Sequence, residues 1–416
     1  MAVSGEAEAA ALIFPMNNVR RLKAVLLTAL LAVGNSLSAD ESETATSGLY
    51  EALTGGNLAK LPVLEALDLT LGGWVSMGIT YNNYSPGDHS NGTVTFNDRS
   101  SEFQLNQLNL FLERAVDKDS KRWSIGGRLD FMFGTDSRFT QAEGNWDQNL
   151  ITQSTWRFYD IALPQAYVEV ATPFVRGATV KIGHFYTILG YEVVPAPNNF
   201  FYSHAYAMQY GEPFTHTGAL INYPISSSII ANVGAVTGPT GKSDNFQNSI
   251  GNWNFLGGLN WASEDGATAF SGSVTSGGVD ENGNDNRTIG GIVLNRDLTE
   301  KLHYVFQYDH GYQDGAAPTG GPAQWYGINQ YLIYALADTV SMALRGEWFR
   351  DQTGFRVSGY PASYYETTLG INWKPHSWII VRTEARYDWM DGPFKVFDEN
   401  RRSSQLTIGT NAVIGF

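Results

Sequence analysis

The chain has 416 residues, of which 16% are charged and 13% aromatic, and its formal net charge is −14 at pH 7. The charged fraction lies below the roughly 25% that is usual in water-soluble domains, and no basic excess is present that could neutralise the phosphates of a nucleic acid. Cysteine is absent, which excludes disulfides and thiolate metal sites.

The first segment is typical of an export signal. Three basic residues within positions 20–23 precede an apolar run over 24–33, and small residues follow up to Ala39. This is the layout of a secretory signal peptide, and the apolar run is shorter than the roughly 20 residues of a membrane-spanning helix. We therefore predict a signal peptide over residues 1–39, with Met16 as an alternative start of translation.

Residues 40–67 separate this signal from the first strongly patterned segment. Part of the stretch is amphipathic, but Gly55, Gly56 and Pro62 interrupt it. We expect a periplasmic amino-terminal segment that is either a short helix or flexible, and a small plug is the alternative.

From residue 68 onward, apolar side chains recur at every second position. Successive side chains of a strand point to opposite faces, so this period indicates β-strands. The patterned segments are about as long as tilted membrane strands, which need about 9 to 11 residues. Sixteen segments are predicted: 71–81, 103–114, 123–133, 163–171, 178–187, 214–223, 229–238, 253–263, 267–275, 287–296, 301–312, 323–337, 340–350, 362–374, 378–390 and 405–416.

The connections between these segments alternate in length. Short turn-rich links lie at 115–122, 172–177, 224–228, 263–266, 297–300, 338–339 and 375–377. Longer polar connections lie at 82–102, 135–162, 188–213, 239–252, 276–286, 313–322, 351–361 and 391–404. Outer-membrane barrels have short periplasmic turns and longer extracellular loops, whereas a soluble β-sandwich does not require this regularity.

The last segment, Gln405 to Phe416, is an uncharged alternating strand. In a bilayer an unpaired strand would expose its backbone to hydrocarbon, so the last strand has to pair with the first. We predict an all-β fold, a transmembrane antiparallel up-and-down β-barrel of about 16 strands (14–18) over residues 68–416. Phe416 is expected in the aromatic girdle at the periplasmic rim.

Charged side chains recur on the strand face opposite the apolar one. The clearest stretch is 382–388, where Arg, Glu, Arg and Asp occupy every second position. An Arg or Lys facing lipid at the midplane costs about 2 to 4 kcal/mol, so these side chains are expected to line the pore. Either they pair across neighbouring strands, or opposing charges form a constriction with a transverse field. The pore-lining candidates are Arg128, Asp130, Glu169, Lys181, Arg345, Glu347, Glu366, Arg382, Glu384, Arg386 and Asp388.

The connection 188–213 combines three prolines with several aromatic residues, which is typical of an ordered loop. We predict that it folds into the lumen and constricts the pore; an external cap is the alternative. Its histidines and glutamates lack the spacing of known metal ligands, so neither a metal nor a cofactor is expected. The constriction-loop candidates are Glu192, Phe200, Phe201, Tyr202, His204, Tyr206, Tyr210 and Glu212. Among the other aromatic residues, Trp74 and Tyr326 fall on the inward parity.

One region resembles a known family. Residues 181–218, KIGHFYTILGYEVVPAPNNFFYSHAYAMQYGEPFTHTG, are similar to the signature region of the OmpL-like β-barrel porins, the BBP2 group. The motifs NQL at 106–108, GRLD at 127–130 and LPQAYVE at 163–169 agree with it. The resemblance covers about residues 70–220. It implies a bacterial outer-membrane barrel that acts as a channel. The last strand also resembles the assembly signal of such proteins, which implies the barrel assembly machinery as a partner through Phe416.

We therefore predict a porin of the Gram-negative cell outer membrane, a water-filled channel for the passive diffusion of small hydrophilic solutes or ions, and no enzyme. The expected partners are outer-membrane lipid, these solutes or ions and, by analogy of fold, two further copies in a homo-trimer; nucleic acid is not expected. A structural or adhesive barrel that binds a surface partner through its loops is the alternative. A membrane-embedded hydrolase is less favoured, since no nucleophile motif surrounds Ser203 and His204.

Overall fold

The computed structural model describes residues 48–54, 62–144, 147, 158–175, 177–239, 246–247, 252–279 and 285–416. The predicted signal peptide over 1–39 lies outside the described residues, as does much of the predicted segment 40–67. In the described part of the chain, no helix has the length and apolar character needed to cross a bilayer.

The helices are short. They are α1 (Leu49–Thr54), α2 (Pro62–Leu67) and α3 (Ser137–Thr140). Pro62 occupies the first position of α2, where its fixed φ suits a helix and its missing N–H costs nothing. The connection between β7 and β8, defined below, adds a 3₁₀ turn over Ala196–Asn198 and a π-helical turn over Ala207–Gly211.

Strands make up most of the described chain. They are β1 (Thr70–Asn82), β2 (Phe103–Arg114), β3 (Ser124–Gly134), β4 (Glu143–Gly144), β5 (Asp160–Ala162), β6 (Ala166–Ala171), β7 (Thr179–Tyr186), β8 (Thr215–Pro224), β9 (Ile229–Thr237), β10 (Phe246–Gln247), β11 (Trp253–Ala262), β12 (Thr268–Val279), β13 (Asp285–Asp297), β14 (Leu302–Gln313), β15 (Ala323–Ala337), β16 (Val340–Asp351), β17 (Ala362–His376), β18 (Ile379–Asp391) and β19 (Ser404–Gly415). The pieces β4, β5 and β10 have two or three residues each, and the other sixteen strands form the wall.

The wall closes on itself. Each long strand pairs antiparallel with the next one, and residues 74–82 of β1 pair with residues 407–415 of β19. The terminal Phe416 extends this ladder, because its N–H and C=O both bond the backbone of Gly73 at 3.0 and 3.1 Å. Closure satisfies the backbone groups that a lipid-exposed edge would leave unpaired. The predicted antiparallel barrel of sixteen strands is therefore confirmed.

The two faces of the wall differ as the alternating pattern predicts. On β18 the four charged residues of 382–388 are buried, whereas Tyr387 between them is 46% exposed. Leu369 and Ile408 on the flanking strands are also exposed on the outer face. The outer surface is therefore apolar, as contact with lipid requires, and the charges lie on the inner face.

Two of the predicted segment boundaries were wrong. The connection predicted at 276–286 is mostly strand, because β12 continues to Val279 and β13 begins at Asp285. The ladder is formed by the backbone, and across it the Ser276 and Thr288 hydroxyls lie 2.7 Å apart, so polar side chains do not end it. The strand predicted over 163–171 is interrupted before β6, where Pro164 has no N–H to donate.

The inward aromatic residue of β15 is Trp325, not Tyr326. Trp325 is fully buried and donates from Nε1 to the carbonyl of Gly211 at 3.1 Å. Tyr326 lies on the other face, where its ring centroid is 5.6 Å from that of Trp348. The period of two places these adjacent residues on opposite faces, but it could not decide which of the two aromatic residues faces inward.

Candidate functional site

The connection between β7 and β8, residues 188–213 (the inner loop), lies against the inward faces of several strands. Tyr191 N–H donates to Gln307 of β14 at 3.1 Å, and the Tyr202 hydroxyl donates to Asn106 of β2 at 2.9 Å. The inner loop therefore reaches strands far from β7 and β8 in the sheet order.

Three arginines of the wall hold the carbonyl groups of the inner loop. Arg345 donates to the Ser203 carbonyl at 2.8 Å, and Arg386 donates to the His204 carbonyl. Arg382 Nη1 lies 3.0, 2.9 and 3.0 Å from the carbonyl oxygens of Ala196, Asn199 and Phe201. Buried carbonyls need donors, and a guanidinium supplies several in a fixed geometry.

Carboxylates of the wall hold the amide groups of the same loop. Glu384 accepts from the N–H groups of Tyr202 and Ser203 at 2.8 and 3.0 Å. Glu347 accepts from the N–H groups of Tyr206 and Ala207 at 2.5 and 2.6 Å. Hydrogen bonds to a charged partner are stronger than neutral ones. We call Arg345, Glu347, Arg382, Glu384, Arg386 and Asp388 the loop latch; Asp388 joins it by accepting from the Tyr206 hydroxyl at 2.9 Å.

The strand register arranges the latch charges on β16 and β18, together with Glu366 of β17, in layers. Glu347, Glu366 and Asp388 stand opposite one another on β16, β17 and β18. The neighbouring layer of the same strands holds Arg345 and Arg386. Like charges directly opposite each other repel, and ion pairs between the layers offset this repulsion, Arg345 with Glu366 at 2.6 Å and Arg386 with Asp388 at 2.7 Å. The charges predicted on these strands are thus paired with one another and with the inner loop.

The remaining pore-lining candidates form a second group on β2, β3, β6 and β7. Arg128 pairs with Asp130 at 2.7 Å and with Glu113 at 3.2 Å. Glu169 stands opposite Lys181 in the register of β6 and β7. The structure therefore divides the predicted set into two clusters.

The constriction-loop candidates lie within the inner loop and are largely buried. Glu192 pairs with Arg345 at 2.7 Å and with His204 at 3.2 Å. Burial alone would raise the pKa of the Glu192 carboxyl, but Arg345 and His204 outweigh it and hold that pKa below its usual range. Phe201, Tyr202 and Tyr206 are buried among the wall strands, while Phe200 and Tyr210 are half-buried.

A second connection covers the inner loop. In the segment 83–102 that joins β1 to β2, the Thr93 carbonyl accepts from the Tyr210 hydroxyl at 2.6 Å. The ring of Phe96 lies 4.5 Å from that of His204. The inner loop is therefore held by the wall on one side and by this connection on another.

Sequence reasoning missed the amide side chains that also hold the loop. Gln107 donates to the Val194 carbonyl and accepts from the Ala196 N–H, at 2.8 and 3.0 Å. A β-bulge in β2 turns both Asn106 and Gln107 inward, since the register with β1 shifts at this point. The two adjacent amide residues of the motif NQL were the sequence signal for these contacts. Strict alternation, however, assigns these two residues to opposite faces.

The hydrolase alternative finds no support in this arrangement. The Ser203 hydroxyl accepts from Arg345 Nη2 at 3.0 Å, and His204 Nδ1 faces Glu192 instead of the serine. No group of three or more His, Asp or Glu side chains within the described ranges is placed to hold a metal ion.

Comparison with known proteins agrees with this geometry. The family model described as "Putative beta-barrel porin-2, OmpL-like" matches residues 68–416. Among solved structures, the chain is similar to the anion-selective porin from Comamonas acidovorans, with a TM-score of 0.59 and 11% identity over 84% of this chain and 99% of that one. OprB of Pseudomonas putida has a TM-score of 0.56 and 12% identity over 85% and 96% of the two chains.

OmpT of Vibrio cholerae in its trimer form has a TM-score of 0.54 and 11% identity over 84% of this chain and 99% of that one. No curated protein sequence matches the chain significantly. Identities this low show a shared fold, and function has to be argued from the site.

Proposed function

We propose that this chain, which belongs to the OmpL-like family of β-barrel porins, is an outer-membrane porin through which small hydrophilic solutes or ions diffuse passively. The observation that carries the proposal is the closed wall, apolar on its outer face and charged on its inner face. Such a cylinder excludes lipid and favours water inside. Diffusion through it needs no catalytic group.

The proposal includes a route to the outer membrane. Residues 1–39 act as a signal peptide, and residues 40–67 remain in the periplasm. The last strand, with Phe416, is the segment that the barrel assembly machinery recognises. The exposed apolar side chains of the wall then contact outer-membrane lipid.

In this proposal the inner loop constricts the channel and the loop latch fixes its position. Support comes from the contacts of Arg345, Arg382 and Arg386 with the loop carbonyls. Because these guanidinium groups are buried under the loop, they shape the channel by holding the loop in place. Solutes then pass along the part of the inner wall that the loop leaves free.

We further propose that three copies assemble into a homo-trimer. The support is the trimer form recorded for OmpT, which has the same fold. Chemical cross-linking of the protein in native outer membranes should give a trimer band, and a band of single chains alone would contradict this part.

Liposome swelling tests the channel directly. Vesicles that contain the purified protein should swell in solutions of small neutral sugars, and the swelling rate should fall as the sugar grows, since a constriction limits size. Vesicles without protein are the control. Swelling that equals this control for every solute would contradict the proposal and favour a structural or adhesive barrel.

A further inference from the structure

Glu212, near the end of the inner loop, is a buried carboxylate with little hydrogen-bond compensation. Glu212 is 3% exposed, and neither Oε1 nor Oε2 has a hydrogen-bond partner of regular geometry; the Gln307 side chain of β14 is the nearby polar group that acts on it. Asp309 of β14 is 1% exposed, and its Oδ1 also has none, although Oδ2 accepts from Gln307 at 2.6 Å. A buried carboxylate without compensation is costly, so this pair requires a bound partner or a proton.

The backbone places the end of the inner loop beside Asp309 of β14. Gly211, which precedes Glu212, packs against Asp309, since a Cβ at Gly211 would lie 3.9 Å from the Cβ of Asp309. Gly190, at the start of the inner loop, has a φ of +84°, and a Cβ there would lie 1.9 Å from Oε2 of Glu212. The Glu212 side chain is therefore confined between the two ends of the loop and β14.

The largest charges that act on Glu212 are negative. They are Asp309 from β14, Glu347 from β16 and Glu192 from the loop itself, and no arginine or lysine is among the main influences. Burial first, and then these carboxylates, raise the pKa of the Glu212 carboxyl well above its ordinary value, although the Gln307 side chain opposes the shift.

The cations and the histidine of the neighbouring elements are engaged elsewhere. Arg345 of β16 forms ion pairs with Glu192 and Glu366. Arg356, in the connection after β16, donates to the Tyr210 carbonyl at 2.6 Å. His216 of β8 lies 2.9 Å from the Thr187 hydroxyl.

We propose that Glu212 and Asp309 form a proton-binding site that fastens the end of the inner loop to β14 when a proton is bound and releases it when the proton is lost. With one proton bound, the pair carries a single negative charge and the repulsion between its two members is removed. With none, two carboxylates repel each other across a dry contact. The effect of the proton on permeation rests on the proposed channel function. The existence of the proton-binding site does not depend on that function.

The sign of the pH dependence follows from the direction of the shift. A carboxyl whose pKa is higher in the folded protein than in the unfolded chain stabilises the fold fully below its ordinary pKa. That stabilisation is lost as the pH rises through the raised pKa. The test therefore compares a mildly acidic pH of about 5 with an alkaline pH of about 9.

The test compares the full-length protein with Glu212→Gln and Asp309→Asn at both pH values. Glu264→Gln, an exposed position in the turn between β11 and β12, is the matched control. From about pH 5 to about pH 9, the wild type and the control should lose about 2 °C or more in Tm and gain single-channel conductance. Both site variants should show neither change, because an amide cannot release a proton; Asp309→Asn carries the comparison if Glu212→Gln does not fold.

Two results would overturn the inference. One is a pH dependence of Tm in Glu212→Gln and Asp309→Asn equal to that of the control. The other is recovery of the low-pH Tm on adding Mg²⁺ at about pH 9, which would identify a cation site. If no variant forms channels at any pH, the channel proposal fails while the Tm comparison still decides on the proton site.

Discussion

Replacing Arg382 by methionine removes the guanidinium that holds three successive parts of the inner loop. Its Nη1 serves the carbonyls of Ala196, Asn199 and Phe201, and its Nε donates to Asn411 at 2.7 Å. Methionine retains much of the apolar stem, so the substitution mainly removes the charge and the donors. The wall strands themselves should stay paired, since their ladder is formed by the backbone.

The magnitude follows from the acceptors that lose their donor. A buried acceptor left without a partner costs about 1 to 3 kcal/mol, and water that enters the lumen recovers part of this. For three carbonyls we expect a net loss of about 3 kcal/mol in the free energy that holds the loop, which is about a hundredfold in its opening equilibrium. The opening should appear as motion of the loop, while the barrel remains folded.

Hydrogen–deuterium exchange of peptides covering residues 196–207 measures this opening. The amides of Tyr202, Ser203 and Tyr206, which the latch carboxylates hold, should exchange about a hundred times faster in Arg382→Met. Arg401→Met is the control, because Arg401 is 59% exposed and pairs with Asp398 and Glu399, which lie in its own connection between β18 and β19. Equal exchange in Arg382→Met and the wild type would refute the role of the latch.

Three further substitutions test other parts of the structure. Leu369→Lys, on the lipid-facing side of β17, should lower the free energy of unfolding in lipid vesicles by about 2 to 4 kcal/mol, as measured by urea titration; no change would contradict the orientation of the wall. Gly190→Ala places a Cβ against the Glu212 carboxylate and should raise the single-channel conductance by displacing the loop end, whereas an unchanged conductance would contradict this packing. Gln107→Leu removes two bonds to the loop and should speed exchange in 194–198 about tenfold; wild-type exchange there would show that the bulge does not anchor the loop.

The wall could be predicted from sequence because lipid and lumen impose opposite demands on alternate residues. On β18 the charges of 382–388 alternate with Ala385 and Tyr387, and the structure separates them in that way. The predicted pattern was wrong where this contrast is weak. Between Ser276 and Asn286 the residues on both faces are mostly small or polar. At Trp325 and Tyr326 the residues on both faces are aromatic.

The contacts of the inner loop could not be predicted in the same way. Arg382 and Asn199 are separated by 183 positions, and a strand period carries no information about which loop will cover a side chain. The extra residue of the bulge at Asn106 and Gln107 also breaks the parity on which the prediction depends. Glu212 was a candidate by its place in the loop, but its burial beside other carboxylates is visible only in the packed structure.

Recordings from planar lipid bilayers test the central claim most directly. The purified full-length protein should produce discrete, uniform current steps in a salt solution. Each barrel that inserts adds one water-filled channel, and all channels have the same dimensions. Bilayers to which heat-denatured protein is added should stay silent. A bilayer that stays sealed with the folded protein inserted would contradict the account of this chain as a porin.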